Sequence, residues 1–367
     1  MRLFIVTILV VATATFSKVH AQGCVAIRSN GGTCTLNDPS HSSHEGGWVL
    51  GFNARYFKSF RHFSSTEEQK QRLEQHTEVI NHTASVDVGL TRIVNSRWSF
   101  GFYIPVITNS RSSLYEHTDP VKKQSVGRFT THSFGLGDMR IAAYRWLLDP
   151  MQHMKGNVQL GLGLKLPTGD YKYMDYFHTS DSTRQLGPVD QSIQLGDGGT
   201  GITLELNTFY HLSQSVTIYG NAYYLANPRE QNGVSTARGG TPTPQSVSYG
   251  SDVMSVPDQY MVRAGGSYTK NGFTASLGGR MECVTVYDLI GGSNGFRRPG
   301  YVISVEPVVS YKLPKAQVYL SVPYAVERAR TQSVPDKIRS EITGVPYTGD
   351  AAFADYSINL GVAFSLK

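Results

Sequence analysis

Polar or small residues, among them charged residues of both signs, alternate with apolar residues in many segments of the chain. In residues 200–211, for example, Glu205 stands between Leu204 and Leu206. Carboxylates and guanidinium groups on one face of a sheet can steer a charged solute, or they can neutralise one another as ion pairs. The sequence leaves both alternatives open. The predicted inward-facing set is Arg55, Asp87, Asp138, Arg140, Lys165, Glu205, Arg263, Arg280, Glu282, Glu306, Glu327 and Asp355.

Pairs of nucleophile and base are the other arrangement that could do chemistry, and they are sparse. His132 and Ser133 are adjacent in a predicted strand, so their side chains point to opposite faces. His178 and Ser180 are separated by one residue, but they lie in a predicted loop and have no identifiable third member. The sequence therefore predicts no catalytic residues, no cofactor and no enzyme activity.

The cysteines suggest a structural role. Cys24 and Cys34 lie close together and are candidates for a local disulfide in an oxidising compartment, with two free cysteines as the alternative. Their spacing includes no further Cys or His in the arrangement of a metal site, so no metal is predicted. Cys283 falls on an apolar strand register, where we expect a small lipid-facing side chain.

The β-strand is the element that would position the charged residues. In the last strand, Tyr356, Ile358, Leu360, Val362 and Phe364 alternate with polar or small residues, which is the period of a strand with one apolar face. Repetition of this pattern predicts an all-β fold, a transmembrane antiparallel barrel with lipid outside and a polar lumen inside. The twelve predicted strands are 47–59, 78–92, 97–109, 132–147, 156–169, 200–211, 215–226, 258–269, 273–287, 299–312, 316–328 and 351–366.

The links between these strands alternate in length. Outer-membrane barrels have short periplasmic turns and long external loops, so the alternation predicts that both termini are periplasmic. Among the long links, 171–199 opens with an aromatic cluster. The sequence leaves three roles open for this cluster: contact with a solute, an inward constriction, or packing among the loops. The link 227–257 is rich in Gly, Ser, Thr and Pro and is expected to be exposed and mobile. Pro307 and Pro323 lie within predicted strands, where we expect bulges or kinks.

The N-terminus has the features of a secretory signal. A positive start is followed by an apolar run that ends near Phe16, and small residues at Val19 and Ala21 suit a cleavage site. The predicted organisation is a signal peptide at 1–21, an N-terminal periplasmic segment at 22–46 and the barrel at 47–367. The formal net charge of +6 is scattered along the chain, so no nucleic-acid partner is predicted.

Two consecutive strands resemble a known family. Residues 134–144 contain Gly135-Leu-Gly-Asp138, and residues 161–171 contain Lys165-Leu-Pro-Thr-Gly169. This order resembles the outer-membrane transporter family associated with meta-pathway phenol degradation. The resemblance implies an outer-membrane barrel of a Gram-negative bacterium that passes small, often hydrophobic or aromatic compounds. From the same motif, Asp138, Arg140 and Lys165 are expected to form a charged cluster, either as an ion-pair brace or as a solute contact.

The C-terminus resembles the signal that is read by the outer-membrane barrel insertion machinery. Asn359, Gly361, Phe364 and Leu366 have the spacing of that signal, although the chain continues to Lys367 where an aromatic end is more usual. The resemblance implies the insertion machinery as a partner during assembly, beside lipid and a small-molecule solute. The sequence thus predicts a passive channel, with a surface-interaction barrel of closed lumen as the alternative.

Overall fold

The computed structural model describes residues 46–366, which form a closed antiparallel β-barrel and confirm the predicted fold class. The predicted signal peptide, nearly all of the segment 22–46 and the candidate disulfide Cys24–Cys34 lie outside the described residues. The strands are β1 (Trp48–Ser64), β2 (Glu67–Glu68), β3 (Ile80–Ile93), β4 (Trp98–Ser113), β5 (Phe129–Leu136), β6 (Arg140–Trp146), β7 (Gly156–Lys165), β8 (Met174–His178), β9 (Arg184–Pro188), β10 (Gly201–His211), β11 (Val216–Ala226), β12 (Gln231–Ser235), β13 (Val253–Ser255), β14 (Gln259–Lys270), β15 (Phe273–Val284), β16 (Gly300–Lys312), β17 (Ala316–Ser321), β18 (Tyr324–Arg330) and β19 (Ala351–Leu366).

The helices lie in the connections between strands. None of the helices in the described part of the chain is long and apolar enough to cross a membrane. They are α1 (Lys70–Glu74), a short 3₁₀ helix (Gln191–Ile193), α2 (Pro244–Ser248) and α3 (Val334–Thr343).

The barrel wall has twelve strand positions, as predicted. Strand β19 pairs with β1 along its length, from Trp48 opposite Leu366 onward, and this pairing closes the sheet. Two positions are each shared by two strands, because β5 and β6 follow one another beside β4, and β17 and β18 follow one another beside β16. Around the wall the order is β1, β3, β4, β5/β6, β7, β10, β11, β14, β15, β16, β17/β18 and β19.

The two faces of the wall follow the alternation of the sequence. On β7 the outward side chains Leu160, Leu162 and Leu164 are 44%, 59% and 42% exposed. On the neighbouring β10 the inward side chains Thr203 and Glu205 are buried. An apolar outer face around a polar interior is the arrangement that a lipid bilayer requires of a barrel.

The connections at the two ends of the barrel differ in length, as predicted. At one end, the short-turn end, strands join through tight links such as the two residues between β14 and β15. Asn271 and Gly272 take positive φ values of 51° and 79° there, which is the backbone of a tight hairpin turn. The other end, the long-loop end, carries the long connections, which include β8, β9, β12, β13, α2 and α3.

The two prolines lie at the same break in the wall. Pro323 falls between β17 and β18 and ends the pairing of β17 with β16. Pro307 lies directly opposite and accepts a hydrogen bond from the Val322 backbone N–H at 3.2 Å, but β16 itself continues through it. Proline has no backbone N–H to donate, and the edge of Pro307 that lacks this donor faces the break. The predicted bulge is therefore in the neighbouring strand position.

A second break in the wall separates β5 from β6, and the strand pairing changes there. Strand β5 pairs with β4 but not with β7. Strand β7 ends at Lys165, which lies opposite Arg140 on β6. The β8–β9 hairpin lies against the open side of β5, where the Asp175 carboxylate accepts the His132 backbone N–H at 2.7 Å. The outer face of this hairpin exposes Met174 and Tyr176. The long link 166–200 therefore completes the wall where strand pairing stops.

The link between β11 and β14 is more ordered than predicted. Its ends pair as β12 and β13, and Val234 and Met254 are 5% and 2% exposed. Only its middle, residues 239–248, is mostly exposed. The expectation that the whole segment 227–257 is exposed is therefore wrong, because apolar residues near both ends pack between the loops.

Candidate functional site

The ten charged residues predicted to line the lumen all have side chains inside the barrel. Glu282 and Asp138 are partly buried, and the rest are buried. Glu327 and Asp355, the other two residues of the predicted inward-facing set, have different surroundings. Glu327 is exposed and contacts the Tyr301 hydroxyl, because a register shift opposite Ile303 turns it outward, so its predicted inward position is wrong. Asp355 is partly buried between Arg61 and Arg328, at 2.8 and 2.7 Å.

Four of the lumen residues form one cluster on β14, β15 and β16, which we call the mid-barrel cluster. Glu306, 1% exposed, lies 3.6 Å from Arg263 and 3.4 Å from Arg280. Arg280 also reaches Glu282 at 2.8 Å, and the Ser321 hydroxyl donates to Glu306 at 2.7 Å. Two cations thus meet two carboxylates in a buried site, the arrangement that lowers the free-energy cost of burying either charge.

A second group surrounds Arg140 on the opposite wall. Arg140 forms an ion pair with Glu205, and its guanidinium carbon lies 4.3 Å from the ring centre of Tyr103. Glu205 also accepts the Tyr144 hydroxyl at 3.1 Å, and Tyr103 donates to Tyr144 at 3.1 Å. This charge is therefore held by one carboxylate and by aromatic faces.

The predicted cluster of Asp138, Arg140 and Lys165 is only partly assembled. Lys165 lies 3.7 Å from Asp138, but Arg140 turns to Glu205. The closer partner of Lys165 is Asp197, which lies in the link between β7 and β10. Asp138 in turn accepts the backbone N–H groups of Gly169 and Asp197 at 3.0 and 3.2 Å. These contacts tie the link to the wall, as expected of a brace.

The two remaining residues of the predicted lumen set, Arg55 and Asp87, lie on β1 and β3. Arg55 donates to the Asn359 side chain at 2.9 Å. Asp87 accepts from the Asn53 amide at 3.4 Å. Both residues also line the lumen cavity described below.

Residues 190–197, which we call the inward segment, pack against the inner face of β4 and β5 and line the cavity inside the barrel. The Ile193 carbonyl accepts from the Ser133 hydroxyl and from Asn109 at 3.3 Å on the wall. On the other side Gln191 donates to the Ser255 carbonyl at 2.9 Å. Ile193 is fully buried. The link thus reaches inward through residues 190–197, and the aromatic cluster at its start is not part of the inward segment.

Asp190 anchors the inward segment. Its carboxylate accepts two hydrogen bonds from Arg298, at 2.8 and 2.7 Å, and lies 3.5 Å from Arg111. Burial alone would raise the pKa of the Asp190 carboxyl, but the two guanidinium groups outweigh burial and hold it well below its ordinary value. The same carboxylate accepts the Ser192 backbone N–H at 3.0 Å and so caps the 3₁₀ helix.

Below the inward segment lies a cavity of about 210 Å³, the lumen cavity. One part of its lining is charged and includes Arg140, Lys165 and Asp87. Another part is apolar or aromatic. That part consists of Phe57, Tyr103, Pro105, Leu195, Tyr223, Leu225 and Pro257.

Above the inward segment two further cavities open among the long loops, and together we call them the vestibule. Their volumes are about 380 and 250 Å³. Arg298 lines both of them and the lumen cavity, so it stands at the junction of all three. The vestibule is lined by seven arginines and four carboxylates. Its positive charge follows from this excess.

Most vestibule arginines have a carboxylate partner. Glu116 accepts from Arg111 and from Arg238, at 3.0 and 2.9 Å. Burial would raise the pKa of the Glu116 carboxyl, but these two cations outweigh it and lower that pKa. Arg330 lies 2.9 Å from Asp336. No pattern in the sequence indicated these residues, because loops have no periodicity from which contacts between distant charges could be predicted.

Two other predictions concern single residues. His132 is exposed and Ser133 is 1% exposed, so they face opposite sides of the wall as predicted. Cys283 was expected to face lipid but is 1% exposed, since Tyr260 and Tyr301 flank it on the neighbouring strands. In residues 46–366, no three His, Cys, Asp or Glu side chains are grouped to hold a metal ion.

Comparison with known proteins gives a fold and no family. No protein-family model matches the sequence, and no curated protein matches it either. A crystal structure of an outer membrane channel from Pseudomonas putida F1 is similar with a TM-score of 0.57 at 10% identity, covering 88% of this chain and 96% of that one. The toluene transporter of P. putida aligns over 90% of this chain and 92% of its own, with a TM-score of 0.40 and 9% identity. The first likeness shows a shared barrel fold, and the second is too low to add to it.

Proposed function

We propose that the protein is an outer-membrane channel for the passive passage of small molecules, including hydrophobic or aromatic compounds. The observation that carries the proposal is the lumen cavity, which lies inside a closed barrel with an apolar outer face and is separated from the vestibule by the inward segment. In this function the long-loop end faces outward, and the start of β1 and the end of β19 face the periplasm. Lipid surrounds the wall, and the insertion machinery assembles it.

The lining of the lumen cavity supports an aromatic solute. Phe57, Tyr103 and Tyr223 offer ring surfaces, and Pro105 and Leu225 extend the apolar side. Binding sites for small molecules commonly combine such surfaces with a few polar groups that orient the solute. Arg140 and Asp87 supply polar groups beside these rings. A phenol would place its ring against the apolar side and its hydroxyl toward these charges.

Conductance of the refolded full-length protein in a planar bilayer tests this function. We expect discrete conductance steps, and we expect phenol to reduce the current at concentrations where glucose does not. Migration of unheated samples on SDS gels would establish that the barrel is folded. A folded, inserted barrel that stays silent would contradict the proposal.

The mid-barrel cluster favours a second candidate, a barrel with a closed lumen whose loops bind an external partner. Buried ion pairs between Arg263, Arg280 and Glu306 cross from one strand to the next and occupy interior space. Under this alternative, vesicles that contain the protein would take up phenol and glucose no faster than protein-free vesicles. Faster uptake of either solute would exclude it.

A further inference from the structure

The vestibule contains one arginine whose environment differs from that of the others. Arg339 lies on α3, and its guanidinium carbon is 3.5 Å from the ring centre of Tyr347 and 5.7 Å from that of Tyr249. It takes part in none of the ion pairs formed within residues 46–366, whereas Arg330 nearby is paired with Asp336. Two aromatic rings therefore hold this cation in place of a carboxylate.

Helix α3 fixes Arg339 at the wall of the larger cavity. Ser333 accepts the Asp336 backbone N–H at 3.2 Å, and Asp336 accepts the Ser333 backbone N–H at 2.9 Å, so the helix begins with a reciprocal cap. The helix ends at Gly344, whose φ of 69° suits a left-handed cap. Arg339, Tyr249 and Tyr347 all line the cavity of about 380 Å³. The guanidinium is thus presented to the cavity from a capped element.

The balance of charge in this cavity leaves Arg339 available to a negative ligand. Its lining carries five arginines and three carboxylates. Arg298 and Arg330 are paired with Asp190 and Asp336, and Arg238 is paired with Glu116. The arginine that is fully buried, Arg297, is neutralised by Asp288 at 2.7 Å. A guanidinium stacked on a ring keeps its N–H edge available, and that edge matches a carboxylate with two parallel hydrogen bonds.

We propose that the vestibule binds a small aromatic carboxylate before it passes inward, with Arg339 as the residue that binds the carboxylate. The volume lies within the range of about 300–1,000 Å³ that is common for small-molecule sites. Tyr249 and Phe296 line the same cavity and supply apolar surface for the ring of the ligand. This inference rests on the proposed channel function, because it names a solute class at the outer opening of that path.

Binding of benzoate to the full chain in zwitterionic lipid nanodiscs, measured by isothermal titration calorimetry, tests the inference. Benzyl alcohol serves as the uncharged analogue and acetate as the carboxylate without a ring. We expect benzoate to bind more tightly than either. Loss of a charge-assisted pair in Arg339→Gln should weaken benzoate binding about tenfold or more.

The same helix offers a matched control. Lys337 contacts the Tyr287 hydroxyl at 2.8 Å and does not line the vestibule, so Lys337→Gln removes one positive charge from α3 outside the cavity. Benzoate affinity should be unchanged in that variant. Equal benzoate affinity in Arg339→Gln and wild type, or equal affinity for benzoate and benzyl alcohol, would overturn the inference.

The bilayer measurement keeps this result separate from the proposed function. A conducting protein that does not bind benzoate would leave the channel standing and refute the carboxylate site. A silent protein that binds benzoate through Arg339 would keep the site and refute the channel.

Discussion

The mid-barrel cluster and the vestibule are both rich in arginine, but the positive charge of the arginines is compensated in different ways. In the mid-barrel cluster Arg280 is shared between Glu282 and Glu306, and Glu306 is 1% exposed. In the vestibule Arg339 is partly exposed and rests on Tyr347. The first region joins strands that are neighbours in the sheet, whereas the second joins loops.

The difference teaches that burial determines which charges are available to a solute. A charge removed from water needs a counter-charge and hydrogen bonds, so the mid-barrel arginines are committed to the wall. A charge at a wet opening needs less compensation, and an aromatic face is sufficient. We therefore expect substitutions in the mid-barrel cluster to change stability and those in the vestibule to change binding or conductance.

The largest expected effect is on stability. Glu306→Gln keeps the size of the side chain but removes the carboxylate that Arg263 and Arg280 share, which should cost about 3–5 kcal/mol of unfolding free energy. Urea unfolding of the protein in lipid vesicles would measure it. Glu341→Gln, at an exposed position on α3, is the control and should match wild type. A Glu306→Gln variant as stable as this control would break the comparison.

The next effect should appear in conductance. Asp190→Asn removes the charge that receives Arg298 and Arg111, which should weaken the anchor of the inward segment by about 1.5–3 kcal/mol. Because the change is confined to a loop, we expect larger or noisier current steps with little change in urea midpoint. Asp181→Asn, at an exposed position of the same link, is the control. Identical currents in both variants would show that the anchor does not restrict the path.

The pH dependence of conductance should sharpen this point. The pKa of the Asp190 carboxyl is lowered in the folded protein, so its stabilising contribution is present above the ordinary Asp value of about 3.9 and is lost as pH falls through the lower folded value. We expect wild-type current to be steady from about pH 7 to pH 4 as far as this group is concerned, and to change only in more acidic solution. The change should be absent in Asp190→Asn. Its persistence there would assign it to another group.

The smallest effect belongs to a pair outside both regions. Lys122 and Asp119 lie 4.0 Å apart in an exposed loop, where water screens the interaction. Lys122→Gln should leave the urea midpoint and the current unchanged within error. A measurable loss in either would mean that loop charges matter even without burial.

The sequence alone predicted the twelve strand positions of the wall and the faces of the strands. It also predicted the inward-facing set from Arg55 to Glu306. Alternation with a period of two residues indicates on which side of the wall a side chain lies. The alternation is clear in a membrane barrel, because side chains that face lipid are apolar and those that face the lumen are polar. The same reasoning failed at Glu327, because the register shift opposite Ile303 moved the pattern by one residue. It also missed the cover that Tyr260 and Tyr301 give to Cys283.

The partners of the charges were determined only by the tertiary structure. Asp190 meets Arg298 across a sequence separation of 108 residues, and Lys165 meets Asp197 through a link that folds back into the barrel. No local period relates such residues, since their contact depends on the path of the long loops. The sequence thus determines which side chains face the lumen, whereas loop packing determines which of them are neutralised and leaves Arg339 stacked on Tyr347.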